Sequence, residues 1–243
     1  MLLSDSDLPV LPECPPPWQL SGSAWLVALR LAPDSTARRA FLDESAAAQL
    51  RSPFALLMYV DYTVSPCGPY RELLFIPGHL PFEDGRRHFT ISRILVSTWE
   101  SVVNGRRNWG IPKDRAQFEV DEEVDAGGST TVRVSTDDGR EICALRLAPR
   151  RFAPLLPVPG GLVPTGLRTL AQRHAGHTYY YAPTASGWIR PGRVVDWRFD
   201  AALFPDLRAA SILGAGRVER FRMTFPPARI ATATPPCPSR SSG

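Results

Sequence analysis

The chain has 243 residues, of which 44% are hydrophobic and 21% are charged. This composition is typical of a globular protein with enough apolar material for a large core. A net charge of +4 and an isoelectric point near 9.1 make it only mildly basic, and most neighbouring arginines come in pairs without forming a long basic run. The pattern favours a solvated surface over a phosphate-binding face, so we expect no nucleic acid partner.

The ends of the chain and its cysteines bear on location. Residues 1–10 carry Asp5 and Asp7 and no basic residue, which is not the pattern of a secretory signal. No stretch approaches the ~20 apolar residues of a membrane-spanning helix. The cysteines are scattered, without a Cys-x-x-Cys pair, at Cys14, Cys67, Cys143 and Cys237. We therefore predict a cytoplasmic protein with reduced thiols, no membrane span and no disulfide framework.

The first part of the chain predicts strands before helices. Residues 1–17 are polar and then proline-rich, which is typical of an extended lead-in. Residues 18–31 alternate like a largely buried strand, and one or two short helices follow up to about residue 50. Residues 54–64 and 70–77 flank a Pro- and Gly-containing turn, so they predict a hairpin. Glu72 lies inside the second run, where it faces either solvent or a lined cavity.

A short helix is predicted next. Ser97 and Glu100 have the Ser-x-x-Glu spacing of a capping box, so we expect a helix over about 98–107 that ends at Gly105 or Gly110. The other segments are mainly β, with no βαβ alternation. Together these elements predict a mainly β chain with a few short helices, arranged as an antiparallel, barrel-like domain. We place one domain at 18–230 and a disordered tail at 231–243.

The single lysine of the chain, Lys113, is the first candidate site residue. Arginine supplies positive charge equally well, but its guanidinium stays protonated and is a poor nucleophile. A desolvated lysine loses its proton more readily and attacks a carbonyl to form a Schiff base. Lys113 is therefore either a nucleophilic amine or an ordinary surface lysine. The pair His174-x-x-His177 lacks an obvious third ligand, and we expect neither a metal nor an organic cofactor.

The segment around this lysine supplies a family resemblance. Gly105-Arg106, Trp109-Gly110 and Ile111-Pro112-Lys113 resemble the signature of the acetoacetate decarboxylase family, in which Gly-Arg-Glu and an aromatic spacer precede Pro-Lys and a strand. Tyr70-Arg71-Glu72 resembles the strand that carries the active-site glutamate of that family. The resemblance covers roughly residues 18–229, and it identifies the chain as a divergent member of the acetoacetate decarboxylase-like superfamily.

The resemblance implies both a fold and a site. The fold is an antiparallel β-cone or double barrel that encloses a cavity, often in a homo-oligomer. Lys113 is implied to be the Schiff-base lysine, and we assign Glu72 a proton-transfer or orienting role. The substrate pocket is predicted to include Tyr70, Trp109, Ile111, Pro112 and Arg106. The implied reaction is decarboxylation, or related imine or aldol-type lyase chemistry, on an oxo substrate.

Several positions depart from the family pattern. Asp114 stands where decarboxylases carry a second lysine, and Arg107 replaces the glutamate of Gly-Arg-Glu. Because adjacent residues of an extended chain face opposite sides, Asp114 need not face the amine. The loss of polar groups predicts a small-molecule carbonyl ligand less polar than acetoacetate. The alternative is a non-catalytic barrel that binds an apolar or lipid-like ligand, with Lys113 as a cavity residue.

Overall fold

The structure, a computed structural model, describes residues 4–123, 128–159 and 165–232. Its helices are short: α1 (Thr36–Arg39), α2 (Glu44–Gln49), α3 (Trp99–Trp109) and α4 (Thr165–Arg168), after a 3-10 turn at Asp5–Asp7. The strands are β1 (Trp18–Arg30), β2 (Phe54–Val64), β3 (Tyr70–Ile76), β4 (Gly78–Pro81), β5 (Arg87–Thr90), β6 (Arg93–Val96), β7 (Lys113–Arg115), β8 (Gln117–Glu122), β9 (Thr130–Ser135), β10 (Glu141–Pro149), β11 (Leu156–Pro159), β12 (Leu170–His174), β13 (His177–Tyr181), β14 (Thr184–Phe199), β15 (Ser211–Phe225) and β16 (Arg229–Thr232).

One large sheet dominates the fold. Its order is β7-β6-β3-β2-β1-β15-β14-β10-β9-β8, and β11 pairs with β14. The two ends of this path, β7 and β8, are separated in the chain by Ala116 alone. The sheet must therefore curl until its ends meet, which gives a nearly closed barrel. The mainly β, barrel-like architecture predicted from the sequence is confirmed.

A second sheet, with the order β16-β13-β12-β5-β4, covers part of the barrel. The long strand β1 shows how the sequence fills both sides of the large sheet. Trp25, Val27 and Leu29 belong to one apolar core, whereas Trp18 and Leu20 belong to a second one. Alternation along a strand sends neighbouring side chains to opposite faces, so a single sheet supports two cores. The second core surrounds the cavity described below.

Helix α3 begins one residue later than predicted and ends at Gly110, the second of the two glycines that the sequence offered. Thr98, one residue after the predicted cap, accepts a hydrogen bond from the Ser101 backbone N–H. The Ser97 hydroxyl instead accepts from the Arg71 N–H, at 2.9 Å. Gly110 ends the helix with φ of +62°, a left-handed conformation that favours glycine. Gly105 therefore lies inside the helix.

The terminal segments contact the domain closely where they are described. Residues 8–17 cross α3, where the Asn104 side chain accepts from the Cys14 N–H at 2.8 Å and donates to the Pro12 carbonyl at 3.1 Å. At the other end, β16 pairs with β13 as far as Thr232, two residues into the predicted tail. Residues 233–243 of that tail lie outside the described residues. Within the described ranges, each helix is too short or too polar to cross a bilayer.

Candidate active site

Lys113 begins a strand directly after α3. The left-handed turn at Gly110 reverses the chain, and residues 111–112 carry it back to β7, which runs parallel to β6 with Lys113 opposite Ile94. A Cβ on Gly110 would lie 2.6 Å from the Tyr179 ring, so glycine is required there by contact as well as by φ. The turn brings the lysine side chain back alongside the helix.

The amine of Lys113 is buried among polar groups from three elements. Its Nζ lies 2.9 Å from Glu72 Oε2, and it donates to the Ser101 hydroxyl at 3.0 Å. Lys113 and Glu72 are each 4% exposed. The Tyr62 hydroxyl donates to Glu72 Oε1 at 3.3 Å, and the Tyr70 ring centre lies 5.1 Å from Nζ. The two predicted catalytic side chains are therefore in direct contact.

Two tyrosines bound this cluster and stay neutral. Burial, together with the neighbouring Glu72 carboxylate, raises the pKa of both Tyr62 and Tyr70 well above the ordinary value. Their rings lie 4.6 Å apart, as expected of a cross-strand pair in the β2–β3 hairpin. Neutral phenols supply hydrogen-bond donors without adding a charge beside the amine.

The absence of a side chain at Gly105 leaves space for the Lys113 side chain to pack against α3. A Cβ built on Gly105 would lie 2.6 Å from Cδ and 2.9 Å from Cε of Lys113. Real Cβ atoms do not approach other atoms so closely, so any side chain at this position displaces the lysine. A glycine in a helix interior costs roughly 0.5–1 kcal/mol relative to alanine. The close approach of Lys113 explains why the helix has glycine at this position despite that cost.

Asp114 binds other partners. Its carboxylate contacts the guanidinium groups of Arg93 and Arg106, with 3.0 Å to Arg106 Nη2. Arg106 also donates from Nε to the Lys113 carbonyl at 2.9 Å and from Nη1 to Asp5 at 2.8 Å. Arg93, Arg106 and Asp114 are buried, whereas Asp5 is exposed. In this buried charge network the two guanidinium groups balance the negative charge of the Asp114 carboxylate, and Arg106 holds the backbone of Lys113 in place.

Above the amine lies a cavity of about 270 Å³, which we call the inner cavity. Of the predicted pocket residues, Tyr70, Trp109 and Ile111 line it. Arg106 and Pro112 are not among its lining residues, because Arg106 is engaged in the buried charge network and Pro112 lies on the connecting turn. Glu72 and Lys113 are at the polar end, and the other lining residues are Trp18, Leu20, Leu56, Met58, Tyr62, Leu74, Ile76, Ile91, Ile94, Arg168, Leu170, Pro183, Met223 and Phe225.

Sequence reasoning missed three residues of this site: Ser101, Tyr62 and Gly105. One signal was available for Ser101, since it lies four residues before Gly105 and therefore on the same face of α3. Tyr62 is the cross-strand neighbour of Tyr70, which the predicted hairpin register places opposite it. The role of Gly105 depends on a contact across the turn, and the local sequence carries no sign of that contact.

The sequence matches no family model and no curated protein. The fold resembles an acetoacetate decarboxylase from Legionella pneumophila, with 13% identity, 94% of each chain covered and a TM-score of 0.64. It also resembles an acetoacetate decarboxylase-like enzyme from Sphingomonas wittichii RW1, with 13% identity, 89% of this chain and 93% of the other covered and a TM-score of 0.61.

The enduracididine biosynthesis enzyme MppR is a third structural neighbour. It is 21% identical, 90% of this chain and 89% of the other are covered, and the TM-score is 0.59. Structures of MppR hold pyruvate, or the condensation product of pyruvate and imidazole 4-carboxaldehyde. At these identities the similarity establishes the fold alone. This chain has the acetoacetate decarboxylase-like fold, as the sequence resemblance predicted.

Proposed function

We propose that this protein is a Schiff-base-forming lyase of the acetoacetate decarboxylase-like superfamily, with Lys113 as the nucleophile. The observation that carries the proposal is the 2.9 Å contact between Lys113 Nζ and Glu72 at the polar end of an otherwise largely apolar cavity. A buried amine beside one carboxylate, with an adjoining space for a ligand, is the arrangement that carbonyl chemistry needs.

The covalent cycle begins with attack of the Nζ lone pair on the carbonyl carbon of an oxo substrate. The resulting carbinolamine takes one proton from the Glu72 carboxylic acid, loses its hydroxyl as water and becomes an iminium ion. In a β-keto acid, the electrons of the bond to the carboxylate then flow to the iminium nitrogen, CO₂ leaves and an enamine remains. A proton taken up from solvent adds at carbon and regenerates the iminium, and hydrolysis with one water releases the product and returns Lys113 to its ammonium form. An aldol-type reaction uses the same enamine on a second carbonyl.

Glu72 has two roles in this cycle. Transfer of one proton from the ammonium to the carboxylate gives the neutral amine that attacks the carbonyl, and the carboxylic acid gives this proton back when water leaves the carbinolamine. Once the iminium forms, it is a cation at the same position, and the returned carboxylate charge stabilises it. The hydrogen bond to Ser101 positions the amine, and the hydrogen bond from Tyr62 positions the carboxylate beside it.

Trapping the imine tests the proposal directly. The protein is incubated with acetoacetate, pyruvate or 2-octanone, reduced with borohydride and measured by intact mass and peptide mapping. We expect one adduct per chain, at Lys113, because the only competing primary amine is the N-terminus. If no adduct forms at Lys113 with any member of a broad carbonyl panel, the enzyme proposal fails.

Replacing Glu72 with glutamine is expected to lower the equilibrium yield of the trapped adduct about ten- to a hundredfold at subsaturating carbonyl. The variant keeps the shape of the side chain but leaves the iminium cation without its carboxylate, and a hydrogen bond to a charged group contributes about 1.5–3 kcal/mol. Glu123→Gln, which alters an exposed carboxylate paired with Arg146, is the matched control and should react like the wild type. An unchanged yield in Glu72→Gln would remove Glu72 from the mechanism.

The apolar walls of the inner cavity favour a second candidate, a non-catalytic barrel that binds an apolar or lipid-like ligand. In that case Lys113 and Glu72 form a structural ion pair, and tight ligand binding occurs without any adduct. The trapping experiment separates the two candidates. The homo-oligomer and the cytoplasmic location implied at the sequence level stay predictions.

A further inference from the structure

We infer that the substrate of this site is a carbonyl compound with an apolar tail of roughly ten carbons or an equivalent aryl-alkyl group, whose far end occupies a second compartment beyond the inner cavity. This inference rests on the proposed function for the identity of the carbonyl. The tail itself is inferred from cavity geometry alone.

The second space, which we call the outer compartment, has a volume of about 240 Å³. Four residues line both it and the inner cavity: Leu56, Ile76, Arg168 and Leu170. The remaining outer walls are Phe54, Ala55 and Phe89. An engineered apolar cavity of about 150 Å³ binds benzene, so this compartment has room for a phenyl ring or the end of an alkyl chain.

The β2–β3 hairpin sets the distance between the amine and the outer compartment. Glu72, Leu74 and Ile76 are alternate residues of β3, so their side chains lie on the same face of the strand. All three line the inner cavity. Four residues of strand at about 3.3 Å each place Ile76 about 13 Å along the strand from Glu72. With C–C bonds of about 1.5 Å, an extended chain needs roughly ten carbons to cover that length.

The wall chemistry along this path selects an apolar tail. Met58 and Leu74 are cross-strand partners, as are Leu56 and Ile76, and both pairs follow the polar end in order. Arg168 is held as a fixed wall at the junction, because it donates to the Ala182 and Pro183 carbonyls at 2.8 and 2.9 Å. A tail that runs past these side chains gains affinity by burial of its methylenes and needs no polar contacts.

Straight-chain alcohols from 1-butanol to 1-dodecanol test the tail site without any imine chemistry. Trp18 and Trp109 line the inner cavity, so tryptophan fluorescence reports binding. Burial of one methylene contributes about 0.8 kcal/mol, so we expect affinity to rise about fourfold per added methylene up to roughly ten carbons and then to level off. In parallel, borohydride trapping of 2-alkanones from acetone to 2-dodecanone should show the same dependence on chain length at Lys113.

A substitution at the junction provides the matched test. Leu56 is partly exposed, so Leu56→Trp introduces bulk there without filling a closed core. We expect the ratio of decanol to butanol affinity to fall at least tenfold in this variant. Phe152→Ala, which removes a highly exposed aromatic ring that lines neither space, is the control and should keep the wild-type ratio.

The outcomes distinguish the tail site from the lyase chemistry at Lys113. A rise in alcohol affinity with chain length, without any ketone adduct, supports the tail site and overturns the proposed lyase. Adducts at Lys113 whose yield is flat beyond about four carbons support the lyase and overturn the tail site. An unchanged affinity ratio in Leu56→Trp also overturns the tail site, because the path to the outer compartment then does not pass the junction.

Discussion

Replacing Gly105 with alanine is expected to slow adduct formation at Lys113 about a hundredfold, because a displacement of about 1 Å at a reacting group has an effect of this size. The new methyl group would lie 2.6 Å from Cδ of the lysine, so the side chain must shift from the position in which it contacts Glu72 and Ser101. Helix propensity acts in the opposite direction, since alanine is favoured over glycine by about 0.5–1 kcal/mol in a helix interior. The measurement is the rate of borohydride-trapped adduct, with thermal unfolding recorded on the same samples.

The combination of the two readouts identifies the cause. We expect the rate of adduct formation to fall about a hundredfold while the melting temperature stays within a few degrees of the wild type. The melting temperature changes little because the new methyl group contacts a flexible side chain that can shift. Gly214→Ala is a suitable control, since a Cβ at Gly214 meets nothing within 4 Å. If Gly105→Ala forms the adduct at the wild-type rate, the close packing of Lys113 against α3 has no part in the chemistry.

The parts of the site that could be predicted from the sequence are those that local pattern determines. A single lysine in an arginine-rich chain pointed to Lys113. The apolar run around Glu72 left it facing either solvent or a cavity, and the resemblance of Tyr70-Arg71-Glu72 to the family's glutamate strand pointed to the cavity. The β2–β3 hairpin followed from its turn residues, and the position of Trp109 and Ile111 on the cavity wall followed from the resemblance. In each case the signal lay within a few residues of the position concerned.

The parts that could not be predicted depend on contacts between distant segments. Arg106 was placed in the pocket because it belongs to the Gly-Arg and Pro-Lys signature of the family that the sequence resembles, but one step along a helix turns a side chain by about 100°. Its guanidinium therefore faces Asp114 and Asp5. The N-terminal segment that supplies Asp5 was treated as a lead-in, and its local sequence gave no indication of an ion pair across about a hundred residues.

Asp114→Asn is expected to lower the free energy of unfolding by about 3–5 kcal/mol, the range seen when one partner of a buried ion pair is removed. The amide leaves the buried guanidinium groups of Arg93 and Arg106 facing each other without the carboxylate that they share. Since whole domains are stable by about 5–15 kcal/mol, this loss is a large part of the total. Urea denaturation at neutral pH measures it.

Asp121→Asn is the matched control, because Asp121 pairs with Arg133 at 2.9 Å on the exposed surface. Exposed pairs contribute about 0–1 kcal/mol, so this variant should unfold close to the wild-type midpoint. Equal midpoints for the two variants would contradict a stabilising role for the buried charge network.

The same network explains why this chain carries aspartate where the family that the sequence resembles has a second lysine. A lysine at 114 would be a third cation beside Arg93 and Arg106. In this chain Asp114 instead binds Arg106, which holds the backbone of Lys113 in place through the Lys113 carbonyl.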